Sequence, residues 1–120
     1  MSRMPGYNLE SVSMRPSRRI AAGLAKTTAS SIYEVPQGRS GRVSSVSICN
    51  TGASRVTVRL HHVLPGESAA LSNAIFYDLE LSGYSTVIDY TARSMNSGER
   101  IFAQASTASV VAFMVYGDAL

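Results

Sequence analysis

Apolar and polar side chains alternate through the middle of the chain, from Gly41 to Leu64. Serines flank Val46 in the first half of this stretch, and apolar residues recur at alternate positions from Val56 onward in the second half. Because successive side chains of a β-strand point to opposite faces, a period of two predicts two half-buried strands. Residues 50–54 read Asn-Thr-Gly-Ala-Ser, a composition typical of a turn. The pattern therefore predicts a β-hairpin.

Five further segments are also predicted to be strands, and they cover residues 27–35, 74–81, 84–91, 100–106 and 110–116. Alternation continues in 74–81, 84–91 and 100–106, and residues 27–35 are rich in β-forming side chains. Gly, Ser, Asn and Pro residues separate the five segments, and Ser82-Gly83 predicts a tight hairpin turn between the second and the third of them. The last segment is apolar on both faces, which is typical of a strand covered on both sides. About seven short strands with regular turns predict an all-β fold, an antiparallel β-sandwich or jelly roll, over residues 27–120.

Residues 1–26 differ from this body in charge and in pattern. They contain five basic side chains and one acid, whereas residues 27–120 contain six arginines and seven acids. Residues 1–19 show no sustained period, and residues 20–26 fit either a strand or a helical turn. We expect an extended basic N-terminal arm that a neighbouring protein holds, or that packs back on its own sheet.

The expected partner-binding residues of this arm are Arg3, Tyr7, Arg15, Arg18, Arg19, Ile20, Leu24 and Lys26. A protein surface is the favoured partner over nucleic acid, because the arm has no Lys/Arg block with interleaved aromatic residues. Removal of residues 1–26 is expected to abolish partner binding and to leave the sandwich folded.

Composition limits the class of protein. A chain of 120 residues has the size of one domain and can bury a core without disulfides. Its one cysteine, Cys49, excludes an internal disulfide framework. Charged residues make up 16% of the chain, which favours surfaces covered by neighbours, or a β domain rich in small polar residues. No apolar run has the length of a membrane span or the form of a signal peptide, so we expect no membrane association.

His61 and His62 are the most conspicuous candidates for a metal site. Adjacent side chains of a strand point to opposite faces, so these two rings cannot chelate one ion together. The favoured interpretation is one histidine at the end of the sheet and one in solvent. Because His62 has the same parity as Leu60, we expect His62 to be partly buried with a hydrogen-bond partner.

Other candidate groups also have simpler structural interpretations. Asp78, Glu80 and Asp89 would form a calcium site or a glycosidase pair if Asp89 lay opposite the other two. A solvated face is the favoured interpretation, and pairing with arginines comes second. Cys49 is expected to be a packed thiol, and Gly38–Arg42 a turn rather than an anion site. The sequence contains no nucleophile elbow, P-loop, HExxH or CxxC motif. We therefore expect no catalysis and no cofactor or metal.

Several turn-and-strand motifs resemble those of small virion structural proteins of tailed bacteriophages. The shared pattern is a strand ending in Val-Pro-x-Gly, a strand ending in Asn-Thr, an alternating Val-x-Val-x-Leu strand and a late Gly-Glu-x-Ile strand. The matching segments are Val35–Gly38, Cys49–Thr51, Val56–Leu60 and Gly98–Ser106. The resemblance covers residues 32–120 and does not include the arm.

The resemblance implies a β-sandwich that is located in the virion and assembled in the host cytoplasm. We expect a capsid decoration or cement protein, a dimer or trimer on the particle, that binds the major capsid protein or another virion protein. The arm and one face of the sandwich would stabilise the shell.

Three alternatives to a decoration protein remain open, of which two are other non-catalytic roles and one is an enzyme. The first is a neck, tail or fibre adaptor. The second is a receptor- or carbohydrate-binding sandwich that uses Tyr7, Phe76 and Tyr84, although the chain has no Trp. An enzyme that uses Asp78, Glu80 or Asp89 is the least favoured interpretation.

Overall fold

The computed structural model describes residues 17–119, which form two packed antiparallel β-sheets. The nine strands are β1 (Arg18–Leu24), β2 (Ser30–Glu34), β3 (Ser40–Asn50), β4 (Val56–Val63), β5 (Ala74–Leu81), β6 (Thr86–Asp89), β7 (Arg93–Asn96), β8 (Arg100–Ala105) and β9 (Val111–Ala119). A short 3-10 helix, Leu71–Asn73, precedes β5 in a segment predicted to be a loop. The all-β sandwich is confirmed. The predicted count of about seven strands is too low because β1 and β7 were not recognised.

The chain changes sheets at most of its connections. Sheet A has the order β1-β9-β3-β6, with β7 pairing along the same flank of β3 as β6. Sheet B has the order β2-β8-β4-β5. Among the described strands, β4 and β5 are the one consecutive pair that is hydrogen-bonded within a sheet. Strands that are close in sequence therefore face each other across the core.

Both predicted hairpins are wrong for the same reason. β3 belongs to sheet A and β4 to sheet B, and β5 and β6 are divided in the same way. Alternation specifies which side chains of a strand face the core, and two strands in facing sheets satisfy it as well as two strands in one sheet. The turns at residues 50–54 and 82–85 therefore carry the chain across the sandwich.

One buried side chain organises both crossings. The Asn50 side chain is fully buried, and its Nδ2 donates to the carbonyl oxygens of Ser54, Leu81 and Ser82 at 2.8, 3.2 and 3.1 Å. Its Oδ1 accepts a hydrogen bond of 3.0 Å from the backbone N–H of Gly52. Because buried carbonyls need donors, this single amide satisfies backbone groups of both connections.

The predicted inward faces form the core. Val46, Ile48, Leu60, Ile101 and Val115 are each at most 2% exposed. Burying each of these side chains contributes on the order of 2 kcal/mol. The core therefore lies between the two sheets, and the outer faces carry the intervening residues.

The opposite end of the sandwich is joined by a carboxylate. Glu99, 7% exposed, places Oε1 2.8 Å from Nε2 of His62, and its Oε2 accepts a hydrogen bond from the backbone N–H of Asn96 at 3.1 Å. Its backbone carbonyl accepts the N–H of Val35 at 3.0 Å. These contacts connect β4 of sheet B with the turn between β7 and β8.

Residues 18–24, predicted to belong to the arm, instead form the edge strand β1, antiparallel to β9. Ile20 and Ala21 pack against the core, and Ala25 is buried. The sandwich thus begins before the predicted boundary at residue 27. Burial of these side chains and pairing with β9 favour the strand over an extended arm. For this segment the alternative of packing on its own sheet is the one observed, whereas residues 1–16 lie outside the described part.

Candidate functional site

The outer face of sheet A carries an apolar surface that no other described element covers. Leu24 of β1, Ile88 of β6 and Met114 of β9 are 51, 40 and 37% exposed. Each alternates with side chains that are turned toward the core, such as Phe113 and Val115 beside Met114. Large apolar side chains grouped on one face are typical of an interaction site.

The strand register arranges these side chains in two neighbouring rows across the sheet. One row pairs Ala22 with Met114, Met114 with Ser47, and Ser47 with Ile88. The next row consists of Leu24, Ala112, Cys49 and Thr86. Each row crosses four strands, or roughly 14 Å at the usual spacing between strands. We call these eight residues the sheet A face, and none of them is charged.

The predicted partner-binding residues are distributed around this face rather than all on it. Leu24 belongs to it, and Arg18 and Arg19 are exposed at the start of β1 on its border. Lys26 is exposed just after β1, and its carbonyl accepts the N–H of Ala105 at 2.9 Å. Ile20 packs against the core and is not available to a partner in this conformation. Arg3, Tyr7 and Arg15 lie outside the described residues.

Ile88 and Met114 were not singled out by the sequence pattern as site residues. The signal for Met114 was present, because the last segment is apolar on both faces and the structure buries one of them. Nothing in the sequence indicated that Ile88 belongs to this face. Its position on sheet A depends on the pairing of β6 with β3 rather than with β5.

The two histidines have separate structural partners. His61 is buried, and its Nδ1 lies 2.9 Å from Oδ1 of Asn73 and 3.1 Å from the carbonyl oxygen of Ala70. His62 is partly buried beside Glu99, as expected. The expectation that one histidine is solvated is wrong, because the connection that includes the 3-10 helix covers His61. Within residues 17–119, no three His, Cys, Asp or Glu side chains are grouped as metal ligands.

The three candidate carboxylates do not meet. Asp78 pairs with Arg59 and Glu80 with Arg55 on sheet B. Asp89 pairs with Arg93 on sheet A, so the supposed position opposite Asp78 was an error that followed from the wrong hairpin. Asp78 and Glu80 stay largely exposed, in agreement with the favoured interpretation of a solvated face, and all three carboxylates also pair with arginines, which was the second interpretation.

Of the remaining candidates, Gly38–Arg42 forms the turn expected of it, and Cys49 is less enclosed than the packed thiol that was expected. Cys49 is half-buried on the sheet A face. Gly38, at φ +77°, donates its N–H to Oγ of Ser97 at 3.0 Å, and Arg39 donates to the carbonyl of Pro36 at 3.1 Å. The loop is therefore a hydrogen-bonded turn.

The predicted aromatic patch is not assembled. Tyr84 is 74% exposed in the crossing between β5 and β6, whereas Phe76 packs against the core. Phe76 pairs with Leu60 while Leu81 pairs with Val56, so Phe76 and Leu81 are separated by roughly 16 Å along β5. Tyr7 lies outside the described residues. Of this patch, the described part of the chain therefore leaves one exposed ring, that of Tyr84.

Sheet B carries a polar cavity of about 210 Å³ on its outer face. The lining residues are Thr27, Thr57, Arg59, Asp78, Gln104, Ala105 and Ser106. Arg59 binds both oxygens of Asp78, through Nε at 2.7 Å and Nη2 at 3.2 Å, and its guanidinium lies 4.1 Å from the centre of the Tyr77 ring. The hydrogen bond from Arg59 lowers the pKa of Asp78, and charge attraction adds to the effect.

A β-bulge places this carboxylate. Val58 pairs with Leu79 and Leu60 with Phe76, so two residues of β5, Tyr77 and Asp78, stand opposite Arg59 alone. Asp78 adopts φ +54°, a conformation that Asp tolerates better than most residues. The bulge also explains why Tyr77 is exposed although the alternation predicted it on the same face as Leu79.

No protein-family model matches the chain, and no curated protein sequence matches it. Among residues 17–119, no helix is long and apolar enough to cross a membrane. Any assignment of function therefore depends on the two outer faces of the sandwich.

Proposed function

We propose that this chain is a structural protein of a bacteriophage virion, a decoration protein that docks on the capsid through the sheet A face. The observation that carries the proposal is the pair of uncharged rows that no described element covers, with the apolar side chains of Leu24, Ile88 and Met114 exposed on them. The resemblance of its turn-and-strand motifs to small phage virion proteins supplies the setting.

The chemistry of the face defines its partner. An interface with an apolar centre and a polar rim is the common arrangement in protein complexes. Here uncharged rows form the centre, and the exposed Arg18 and Arg19 stand on the border. The partner should therefore present an apolar patch edged by carboxylates, and the resemblance implies a virion protein, in the first place the major capsid protein.

We infer that the N-terminal segment adds a second contact with the same partner. Residues 1–16 carry Arg3, Tyr7 and Arg15 and lead directly into β1, the strand at the edge of sheet A. A second contact tethered next to the first raises the overall affinity through the effective concentration. The edge position of β1 also suits contact with another subunit, and we propose a dimer or trimer on the particle. The role is adhesive and needs no catalytic group.

The test compares two exposed leucines on opposite sheets. Leu24→Asp changes the sheet A face, and Leu71→Asp changes a more exposed leucine of the 3-10 helix, which precedes a strand of sheet B. Particles of the virus that encodes this chain, assembled without it, are mixed with each purified variant and sedimented. We expect wild type and Leu71→Asp to sediment with the particles and Leu24→Asp to remain in solution.

Met114→Asp serves as a second change on the same face and is expected to behave like Leu24→Asp. Circular dichroism of each variant verifies that it is folded. Binding of Leu24→Asp and Met114→Asp at wild-type occupancy would show that the particle does not contact this face.

A further inference from the structure

The polar cavity on sheet B has features of a binding site that the proposed docking role does not use. Thr57 and Arg59 point outward from β4, because Val58 and Leu60 between and beside them are buried in the core. Gln104 of β8 is paired with Arg59 and lines the same cavity. The site therefore lies on the outer surface of the sheet opposite the sheet A face.

The position of Arg59 is fixed from two sides. Asp78 holds the guanidinium through two hydrogen bonds, and the Tyr77 ring lies against its plane at 4.1 Å. Two hydrogen bonds use part of the five N–H donors of Arg59 and part of the acceptor capacity of Asp78. The remaining donors and acceptors stay available beside the cavity. A charged side chain held in this way loses little conformational entropy when a ligand binds.

The charge balance of the cavity selects its ligand. The positive charge of Arg59 is matched by Asp78, so neither an anion nor a cation gains from the site as a whole. The other polar side chains of the lining are hydroxyls and an amide, from Thr27, Thr57, Gln104 and Ser106. These groups both donate and accept, which matches a neutral ligand that carries several hydroxyls.

We propose that this cavity binds one monosaccharide ring of a neutral glycan. Two adjacent hydroxyls of the sugar interact with the Arg59–Asp78 pair, one accepting from the guanidinium and the other donating to the carboxylate. The volume of about 210 Å³ is below that of usual drug-sized sites and suits a single ring. The β-bulge, in which Asp78 adopts a positive φ, directs the Asp78 carboxylate toward the cavity.

The experiment is a titration of the full-length ¹⁵N-labelled protein with methyl glycosides of glucose, mannose, galactose and N-acetylglucosamine at millimolar concentrations. Binding at the site shifts the backbone amide signals of Thr57, Gln104 and Ser106. Asp78→Asn preserves the side-chain shape and tolerates the positive φ, and we expect it to weaken binding about tenfold because a charged acceptor is lost. Thr57→Val removes one lining hydroxyl and should weaken binding several-fold.

Glu80→Gln is the matched control, because Glu80 follows closely on the same strand, pairs with exposed Arg55 and does not line the cavity. It should leave the affinity unchanged. Absence of shifts with every glycoside, equal affinity in Asp78→Asn, or shifts produced by phosphate or acetate instead of sugars would each overturn the proposal. The outcome is independent of whether the sheet A face docks on a particle.

Discussion

The side-chain Nδ2 of Asn50 donates a hydrogen bond of 3.2 Å to the backbone carbonyl of Leu81, and this contact joins the two connections that cross between the sheets near it. The residues involved are far apart in sequence, and Asn50 itself is fully buried. A buried amide with all its groups satisfied specifies one arrangement of the surrounding backbone. Asn50, the asparagine of the Asn-Thr motif, therefore has a structural role at the end of β3.

Replacing Asn50 with Ala should lower the free energy of unfolding by about 3 kcal/mol, because buried carbonyls of both connections would lose their donor. Urea denaturation measures the change. Ser54→Ala is the control, since Asn50 contacts only the backbone of Ser54; its stability should stay within about 0.5 kcal/mol of wild type. A loss below about 1 kcal/mol in Asn50→Ala would mean that water replaces the amide.

Gly83 and Gly52 lie in the two connections and should differ sharply in tolerance to Ala. A Cβ at Gly83 would stand 2.1 Å from the carbonyl oxygen of Ala53, whereas one at Gly52 would be 3.6 Å from its nearest neighbours. Gly83→Ala forces the backbones apart, and we expect a loss of about 1–3 kcal/mol, with Gly52→Ala nearly neutral. Thermal unfolding of both variants checks this. Equal stability of the two would contradict the close approach.

The sequence allowed seven of the nine strands and most of their inward residues to be predicted, but not the pairing of strands. Val46 and Ile48 face the core as their alternation indicates. The same alternation cannot distinguish a hairpin from two facing strands, because both bury the same side chains. The choice depends on long-range contacts such as that of Asn50 with Leu81, which leave no local pattern.

The candidate sites were predicted only in part, for two physical reasons. The sheet A face needs the register of four strands, so its members from β1 and β6 could not be grouped in advance. The cavity needs the bulge at Tyr77 and Asp78, which the uninterrupted alternation of residues 74–81 conceals. Pairing of the carboxylates with arginines was foreseen only as the second interpretation, after solvation, because the sequence does not show which strands are neighbours.

Arg59→Gln should raise the pKa of Asp78 toward its ordinary value of 3.8, because the hydrogen bond that lowers it is lost. A carboxyl whose pKa is lower in the folded state stabilises the fold above its unfolded pKa, and this contribution is lost as the pH falls through the folded pKa. NMR titration of the ¹³C carboxyl signal measures the shift. Arg55→Gln should leave it unchanged, since Arg55 pairs with Glu80. An unchanged pKa in Arg59→Gln would show that the pair does not form in solution.

Truncation separates the N-terminal segment from the strand that follows it. A chain that lacks residues 1–16 keeps β1, whereas a chain that lacks residues 1–26 loses its pairing with β9 and the packing of Ile20, Ala21 and Ala25. The backbone N–H of Ala25 also donates to the carbonyl of Val111 at 2.8 Å. We therefore expect the longer deletion to be less stable than the shorter one by at least about 3 kcal/mol in urea denaturation. This reverses the expectation that removal of residues 1–26 leaves the sandwich folded. Equal stability of the two truncated chains would show that the sandwich folds without β1. The folded domain would then begin at residue 27, as the sequence predicted.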